Sequence, residues 1–347
     1  MFKRRRTRTI NIGGVKVGWK FPVSIQSMAK TDTRDARNTI AEIKRLKKAG
    51  CEIVRVAVKD VIAAKSIKTI KRRADIPLVA DIHFDYRLAI ESIKSGADKI
   101  RINPGNISSP NHLKDVIRAA KKRKIPIRIG FNSGSMPPAG DGQTENGDSF
   151  VGAALRYIKF FEKENFRDII VSLKSSDVRE TVTAYRGLAA RCDYPFHVGI
   201  TASGAHEAGI VKSSIGIGAL LLDGIGDTIR VSLTGDSVSE VVTAKNILQS
   251  LSIRNFRPDI VSCPMCGRCQ VDLAGIVRKL ETELSALNSQ KPLTVAVMGC
   301  EVNGPGEARQ ADIGIAFGKD SGVLFRKGKI VKKVKEKNAV KELLKNL

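Results

Sequence analysis

Residues 99–132 read KIRINPGNISSPNHLKDVIRAAKKRKIPIRIGFN, and this stretch contains the repeating unit of the chain: a β-rich run, a helical run and a second β-rich run. Apolar residues of the helical run lie three or four positions apart, which predicts an amphipathic helix. Similar units follow one another about eight times between residues 23 and 252. Successive βα units in this number predict a closed (β/α)8 barrel.

The barrel strands are predicted from runs rich in β-branched residues. They are VSIQSM (23–28), EIVRVAV (52–58), PLVADIHF (77–84), KIRINPG (99–105), PIRIGFN (126–132), DIIVSLK (168–174), FHVGIT (196–201) and TIRVSLT (228–234). A doubly wound open sheet is the competing fold, but no glycine-rich dinucleotide-binding motif follows the first strand. We therefore predict an α/β protein with a TIM-barrel domain over residues 1–256.

A second unit begins near RPDIVSC, where the barrel pattern ends. Helical and β-rich runs continue to the end of the chain: VDLAGIVRKLETELSAL, LTVAVMG, DIGIAF, GVLFRKGKI and AVKELLKNL. These runs predict a small α/β domain over residues 257–347.

Four predicted strands carry an arginine between β-branched neighbours: Arg55, Arg101, Arg128 and Arg230. Because alternate residues of a barrel strand face the interior, these guanidinium groups could point towards the mouth. Buried without anions they would be costly, whereas at the mouth they would form a cage for a phosphate-bearing ligand. A solvent-facing position could explain one such arginine, but the repetition over four strands favours the cage.

Other polar residues of the same parity extend this candidate site: Asp81, His83, Asn103, Asn132, Lys174, Thr201 and Ser232. A lone histidine is commonly structural, and it is the position of His83 two residues after Asp81, at a strand end, that makes it a candidate. The segment SGSMPPAGDGQTENGDS (133–149) has the composition of a loop at the mouth, either a lid or a passive linker.

Four of the six cysteines fall in CPMCGRC (263–269) and MGCEVNGPGE (298–307). Thiolates at C-x2-C-x2-C spacing bind zinc or iron–sulfur clusters, and the spacing alone leaves both open. A secreted disulfide framework is disfavoured for a chain of this size. A structural zinc site has no need of the nearby Glu307, whereas an iron held by a carboxylate could exchange it for a substrate oxygen.

These motifs carry a family resemblance. The pair CP-x-CGR and MGC-x-VNGPGE resembles the cluster domain of the hydroxymethylbutenyl diphosphate synthase family, iron–sulfur enzymes of the non-mevalonate route to isoprenoids. The resemblance extends over nearly the whole chain through VSIQSM, VADIHFDYRLA, KIRINPGN, VSLKSSDV and GDTIRVSLTGD. It implies a TIM barrel followed by a domain like those of nitrite and sulfite reductases.

The resemblance also implies an activity. Methylerythritol cyclodiphosphate would be reductively opened and dehydroxylated to hydroxymethylbutenyl diphosphate, with two electrons from reduced flavodoxin or ferredoxin. The expected cofactor is a [4Fe–4S] cluster held by Cys263, Cys266, Cys300 and Glu307, with Glu307 exchanged for substrate oxygen. The Arg, Lys, Asn, Asp and His residues at the matching positions would bind the substrate. The expected assembly is a homodimer in which the cluster domain of one chain covers the barrel mouth of the other.

Two positions depart from the family pattern. The family usually has Thr-Glu-Ala-Gly after the seventh strand, where this chain has Thr201-Ala202-Ser203-Gly204. A carboxylate expected beside the substrate is therefore missing, and Glu207 is a hypothetical catalytic replacement. The second departure is Cys269, which is either a spare buried thiol or a competitor of Glu307 that would give an all-cysteine centre.

Composition restricts the remaining function classes. The 347 residues carry a formal net charge of +25, and 42% of them are hydrophobic. No apolar run approaches the roughly 20 residues of a membrane span, and a polar segment follows the basic MFKRRRTRT where a signal peptide would be apolar, so we expect a cytoplasmic protein. Aromatic residues are only 5% and the basic residues are scattered over helices, which disfavours specific nucleic-acid recognition. A zinc-stapled, phosphate-binding barrel without redox chemistry is the other rival.

Overall fold

The computed structural model describes residues 3–103, 106–107, 109–135, 150–285, 292–319 and 321–347. The chain divides into two compact units, Met1–Leu251 and Ser252–Leu347. The boundary predicted after residue 256 lies a few residues beyond this division. Among the described residues, no helix combines the length and the hydropathy that a membrane span requires.

The first unit opens with an antiparallel hairpin of two short strands, β1 (Ile10–Ile12) and β2 (Val15–Val17). Its buried residues pack against Ile53, Val79 and Ile170, which lie near the amino-terminal ends of barrel strands. The hairpin therefore covers the end of the barrel at which the strands begin. The sequence analysis missed it, because three-residue strands are too short to show a clear period.

Eight parallel strands and eight helices alternate after the hairpin, which confirms the predicted barrel. The strands are β3 (Ser24–Met28), β4 (Ile53–Val58), β5 (Leu78–Ile82), β6 (Lys99–Ile102), β7 (Ile127–Asn132), β8 (Ile169–Lys174), β9 (His197–Val198) and β10 (Thr228–Ile229). The helices are α1 (Ala36–Ala49), α2 (Val61–Arg73), α3 (Tyr86–Lys94), α4 (Pro110–Arg123), α5 (Phe150–Lys163), α6 (Val178–Ala189), α7 (His206–Leu222) and α8 (Ser237–Ser250).

Aspartates start several of these helices. The carboxylates of Asp35, Asp60, Asp85 and Asp177 each accept a hydrogen bond from a backbone N–H in the first turn of α1, α2, α3 and α6. Such a cap satisfies a donor that the helix itself leaves unpaired, and its removal typically costs about 1 kcal/mol. These caps fix where the chain turns from the carboxyl end of a strand into the next helix.

The barrel closes between β8 and β9 through a single bridge, Val171 to Phe196. Strands β9 and β10 end at Val198 and Ile229, so the predicted strands 196–201 and 228–234 were too long. The chain departs from the ladder just beyond Val198, and left-handed backbone follows at Ala202 (φ 46°). Regular pairing cannot continue through such a conformation, so β9 could not extend beyond Thr201.

The second unit is a five-stranded mixed sheet with three helices in its described part. Its elements are β11 (Asp259–Ser262), α9 (Leu273–Ser285), β12 (Thr294–Met298), α10 (Gly304–Gln310), β13 (Ile313–Phe317), β14 (Gly322–Arg326), β15 (Lys329–Val334) and α11 (Ala339–Lys345). The strands lie in the order β11-β12-β13-β14-β15, so β15 is an edge strand. The sequence analysis missed α10, because Gly-Pro-Gly is typical of a turn.

The two faces of this sheet bury different helices. One face packs Val295, Ile315 and Leu324 against α9 and α11. The opposite face packs smaller residues such as Ala296 and Ala316, with Phe325, against Ala308 of α10. Small side chains on that face let α10 lie close to the strands.

Candidate functional site

Charged side chains gather around Asp81, which lies on β5 near the carboxyl end of the barrel. Its Oδ1 atom accepts a hydrogen bond of 3.1 Å from Nη1 of Arg101. Its Oδ2 atom lies 3.7 Å from Nε of Arg55 and 3.6 Å from Nε2 of His83. Nη1 of Arg101 also lies 2.8 Å from that Nε2 atom. One carboxylate thus orients three cationic or titratable groups from neighbouring strands.

The pKa of Asp81 reflects this neighbourhood. Burial alone would raise it, yet the guanidinium groups of Arg55 and Arg101 hold the pKa well below its usual range. Burial in turn lowers the pKa of Arg55 to about 9, with Asp81 opposing that shift. The carboxylate therefore stays ionised and cannot act as a proton donor near neutral pH.

Arg128 and Lys174 are also buried and are less well paired. Arg128 is 1% exposed, and its Nε and Nη1 atoms are buried without a hydrogen-bond partner in the described structure. Burial lowers the pKa of Lys174 well below its usual range, and Arg128 and Arg230 lower it further. A buried donor without a partner costs about 1–3 kcal/mol, so a bound anion would stabilise this region.

Sequence analysis missed two interior residues, Lys99 and His197. Lys99 is fully buried, and its Nζ atom donates a hydrogen bond of 3.2 Å to Oε1 of Gln26. His197 is also fully buried, and burial, followed by the charge of Lys174, holds its pKa well below the usual range. The alternation that places Arg101 inward places Lys99 inward too, so parity alone could have found it.

Two inward glycines make room for the charged side chains. A Cβ atom on Gly130 would lie 2.9 Å from Nε of Arg101 and 2.9 Å from Oγ of Ser172. A Cβ atom on Gly199 would lie 2.9 Å from Nζ of Lys174. A side chain at either position would collide with Arg101 or Lys174, so both positions must be glycine for these cationic groups to lie where they do.

Arg230 is held from outside the barrel strands. Its Nη2 atom lies 3.4 Å from Oε2 of Glu240, a residue in the first turn of α8 that is 1% exposed. Glu240 also lies 3.1 Å from Nζ of Lys30 and accepts a hydrogen bond from Ser27. Glu240 lies in a helix, so the alternation within strands that identified the other candidates could not identify it. Its contact with Arg230 is seen only in the fold.

The other predicted residues of the barrel lie near the mouth. Asn103 is buried, and three residues are half-buried at or just beyond strand ends: Asn132, Thr201 and Ser232. Glu207 is exposed in the first turn of α7, and no contact in the described structure joins it to the buried arginines. Residues 136–149 of the predicted lid lie outside the described residues, so the lid stays a prediction.

The described interior and mouth carry an excess of positive charge. Asp81 and Glu240 are the carboxylates that contact this group, against six basic side chains: Arg55, Lys99, Arg101, Arg128, Lys174 and Arg230. Desolvated like charges repel one another strongly, and multiply charged phosphate groups match guanidinium donors in geometry. The arrangement is suited to bind a small, highly anionic ligand.

A cavity of about 410 Å³ lies in the second unit. It is lined by all four predicted cluster ligands: Cys263, Cys266, Cys300 and Glu307. The described cysteines form no disulfide. Among the described residues, no group of three His, Cys, Asp or Glu side chains converges on one point. A cluster takes one protein ligand per iron, so donors spread around a cavity fit it better than they fit one tetrahedral zinc ion.

Cys269 lies beside this cavity and is not part of its described lining. Its thiol donates to the carbonyl oxygen of Val271 at 3.4 Å, and it packs against the core that contains Leu273. A Cβ atom on Gly299 would lie 2.4 Å from its Sγ atom. Of the two alternatives for this thiol, the geometry favours the spare buried one.

Comparison with known proteins places both units in one family. Residues 7–245 match the GcpE TIM-barrel domain, and residues 259–347 match the GcpE protein C-terminal domain. The chain belongs to the GcpE family. Relatives named 4-hydroxy-3-methylbut-2-en-1-yl diphosphate synthase (flavodoxin) include one from Thermodesulfovibrio yellowstonii, 54% identical over 100% of this chain and 99% of the relative. Another, from Clostridium perfringens, is 51% identical over 99% of this chain and 98% of the relative.

Solved structures outside the GcpE family share its barrel fold. Dihydropteroate synthase from Yersinia pestis superposes with a TM-score of 0.51 at 14% identity, over 70% of this chain and 98% of its own. N-acetylneuraminic acid synthetase from Leptospira borgpetersenii gives a TM-score of 0.52 at 12% identity, over 83% of this chain and 100% of its own. At these identities the likeness shows the fold alone.

Proposed function

We propose that this GcpE family member is a flavodoxin-dependent 4-hydroxy-3-methylbut-2-enyl diphosphate synthase. It converts 2-C-methyl-D-erythritol 2,4-cyclodiphosphate to (E)-4-hydroxy-3-methylbut-2-enyl diphosphate. The observation that carries the proposal is the group of buried, under-neutralised cations at the barrel mouth, which suits a cyclic diphosphate. The cavity lined by three thiols and a carboxylate supports the redox half of the proposal.

The cations would divide the work of binding. Arg55, Arg101 and Arg128 present guanidinium groups from β4, β6 and β7 to the phosphate oxygens, and Lys174 and Arg230 complete the cage. The unpartnered nitrogens of Arg128 would gain acceptors, which strengthens binding because the donors are already desolvated. Asn103, Asn132, Thr201 and Ser232 would hydrogen-bond the remaining phosphate and hydroxyl oxygens.

Asp81 and His83 have different roles in this proposal. Ionised Asp81 keeps Arg101 and His83 in place, so it contributes to orientation of the substrate. His83 has 42% of its side chain accessible and lies 2.8 Å from Arg101, where it can donate a proton to a leaving oxygen. The reaction takes up two electrons together with protons, and the oxygen removed from the substrate leaves as water.

The proposed cofactor is a [4Fe–4S] cluster held by Cys263, Cys266, Cys300 and Glu307. When bound, such a cluster supplies electrons and a Lewis-acidic iron for a substrate oxygen. The electrons would come from reduced flavodoxin, the carrier in the printed names of the relatives, with ferredoxin as the alternative donor. A cytoplasmic location, in which thiols stay reduced, suits this chemistry.

A homodimer with the active site shared between chains completes the proposal. Helices α7 and α8 expose apolar side chains at Val211, Ile215 and Val242, which are 56%, 57% and 46% exposed. Exposed apolar side chains favour burial in an interface, and a second copy of the chain would remove them from water. Self-association through this face would bring a partner chain alongside the barrel.

Glu207 is proposed as the proton donor that replaces the family's glutamate. Its exposed position in α7 requires the preceding loop to fold towards the mouth for the carboxylate to reach the substrate. We expect Glu207→Ala to lower kcat while KM changes little, because the side chain would act only in proton transfer. Full turnover in this variant would remove Glu207 from the mechanism.

The first experiment is a metal and sulfide analysis of protein purified without oxygen, followed by a turnover assay. We expect about four iron and four sulfide per chain, and conversion of the cyclodiphosphate when reduced flavodoxin is added. One zinc per chain and no sulfide after attempted cluster reconstitution would overturn the redox proposal. That result would leave the zinc-stapled, phosphate-binding barrel.

A further inference from the structure

Residues 326–337, RKGKIVKKVKEK, concentrate basic charge in a way that the proposed chemistry does not use. This segment contains seven Lys or Arg residues and one carboxylate, Glu336. All seven basic side chains are exposed. The segment forms the turn after β14 and all of β15, the edge strand of the second sheet.

Strand pairing decides which of these residues share a face. Ile330 pairs with Phe325, and Lys333 pairs with Val323. Phe325 packs on α10, so Ile330 and Lys333 lie on the α10 face of the sheet. Arg309 of α10 lies with its guanidinium carbon 5.5 Å from the centre of the Phe325 ring. We call this set, with Lys319 two residues after the end of β13, the basic edge surface.

The basic edge surface borders a cavity of about 440 Å³. Arg309, Lys319, Ile330 and Lys333 contribute to its lining, with Phe325 among the apolar residues. Ile330 is 63% exposed in the middle of this charge. An exposed apolar residue ringed by cations is the composition of a protein interface with steering charges at its rim.

Glu301 is the one carboxylate among the described residues that line this cavity. Lys332, on the opposite face of β15, pairs with Glu342 of α11 at 2.6 Å. Lys319 and Lys333 form no salt bridge in the described ranges. Their charges are therefore available to an acidic partner.

The cavity lined by Cys263, Cys266 and Cys300 is called here the thiol cavity. The basic edge surface and the thiol cavity lie on two sides of the same short segment. Cys300 lines the thiol cavity, and the next residue, Glu301, lines the cavity of the basic edge surface. Within α10, Glu307 lines the thiol cavity while Arg309 lines the other. A carrier docked on the basic edge surface would be separated from a cofactor in the thiol cavity by little more than this segment.

We propose that the basic edge surface is the docking site of reduced flavodoxin, an acidic electron-carrier protein. The inference rests on the proposed function and specifies where the carrier binds. Each docking event transfers one electron from the flavin hydroquinone, which becomes the semiquinone, so one turnover requires two events. Weak, transient contact is suited to such exchange, and complexes of this kind bury less than about 1,200 Å².

The test compares two double variants with the same change of charge. Lys319→Glu/Lys333→Glu alters the basic edge surface, whereas Lys341→Glu/Lys345→Glu alters α11, on the other face of the sheet. We expect the first variant to lower kcat/KM for reduced flavodoxin about tenfold or more and to flatten its dependence on salt. Turnover with chemically reduced methyl viologen should stay at the wild-type rate in both variants, which also shows that the first variant is folded.

A flavodoxin-supported rate within about twofold of wild type in the first variant would overturn the proposal. An equal loss in the α11 variant would overturn it too, because the effect would then be one of net charge. Absence of turnover with both reductants in the wild type would refute the proposed function. Even then, direct binding of flavodoxin to the wild type and to each variant decides whether the basic edge surface is the docking site. Loss of binding to a 20-nucleotide RNA with unchanged flavodoxin binding would assign the surface to nucleic acid and exclude the carrier.

Discussion

Lys174 shows how burial and repulsion act on one side chain. Both lower its pKa in the free protein well below the usual range. A bound diphosphate favours the charged form and raises the pKa again, so binding takes up a proton at a pH between these two pKa values. Affinity for the anion should therefore fall as the pH rises from the lowered pKa of the free protein towards the pKa of the complex.

Calorimetry with inorganic pyrophosphate in buffers of different ionisation enthalpy measures this proton uptake. At a pH between the lowered pKa of Lys174 and the usual lysine range, we expect net proton uptake in the wild type and a smaller value in Lys174→Met. Affinity should be about tenfold lower in that variant because a charge-assisted hydrogen bond is lost. Lys122→Met, on the exposed face of α4, is the control and should behave as the wild type. Unchanged proton uptake in Lys174→Met would assign the linkage to another group.

Cys269 provides a second test at a single position. Because its thiol packs beside Gly299 and contacts Val271, we expect Cys269→Ser to retain the iron and sulfide content of the wild type. Replacing a half-buried thiol by a hydroxyl should cost about 1 kcal/mol of unfolding free energy. Cys300→Ser, which removes a residue of the cavity lining, should lose most of the iron. Comparable iron loss in both variants would make Cys269 a ligand.

Parity within a strand predicted much of the barrel site, and its failures have physical causes. Arg55, Arg101 and Arg128 are buried as the alternation requires. The position of Arg101 depends on clearance at Gly130, and that of Arg230 depends on Glu240. Neither Gly130 nor Glu240 shows its role in a local pattern. Clearance and long-range pairing are properties of the folded chain, so no local motif could reveal them.

Helix α10 depends on two close approaches to the sheet. A Cβ atom on Gly304 would lie 2.9 Å from Cβ of Met298, and one on Gly314 would lie 2.6 Å from the carbonyl oxygen of Ala308. Backbone and Cβ atoms cannot move aside as the end of a flexible side chain can. These glycines therefore set the distance at which the helix carries Glu307.

We expect Gly304→Ala to push α10 outward, at a cost of about 1–3 kcal/mol in unfolding free energy. The displaced Glu307 should also lower the amount of iron retained after exposure to a chelator. Gly306→Ala is a matched control in the same helix, because nothing lies within 4 Å of its Cβ position. That control should be neutral or stabilising by about 0.5–1 kcal/mol. Equal iron retention in the two variants would show that α10 does not position a ligand.

Period and composition predicted the long elements well and the short ones poorly. The barrel helices and most strands have the patterns that amphipathic burial imposes, and they lie where the sequence placed them. The hairpin β1–β2 and helix α10 are too short for a period to appear. Strands β9 and β10 end at Val198 and Ile229 although their β-rich composition continues, because composition does not encode where ladder pairing stops.

Net charge acts on the molecule as a whole. A formal charge of +25 would attract many polyanions alike, but the basic residues that carry it differ in their surroundings. The cations of the barrel mouth are buried, whereas those of β15 are exposed to solvent. Composition predicts attraction of acidic partners in general, and the fold distinguishes buried cations suited to a small anion from exposed cations suited to a protein partner.

A shared active site can be tested by mixing two inactive proteins. Arg230→Met removes a predicted substrate-binding residue from the barrel, and Cys300→Ser removes a predicted cluster ligand from the second unit. In a homodimer whose sites combine the barrel of one chain with the cluster domain of the other, a mixed dimer contains one intact pair of units. Random exchange then restores about a quarter of the wild-type activity, since half of the dimers are mixed and each has one working site.

If each chain forms its site alone, every chain in the mixture is defective and no activity returns. The measurement is turnover after the two variants are unfolded together, refolded and reconstituted with iron and sulfide, with each variant treated separately as the control. Sedimentation of the refolded mixture verifies that dimers have formed, so absence of activity in a dimeric sample would refute the shared site. Activity near a quarter of wild type would require that the two units of one site come from different chains.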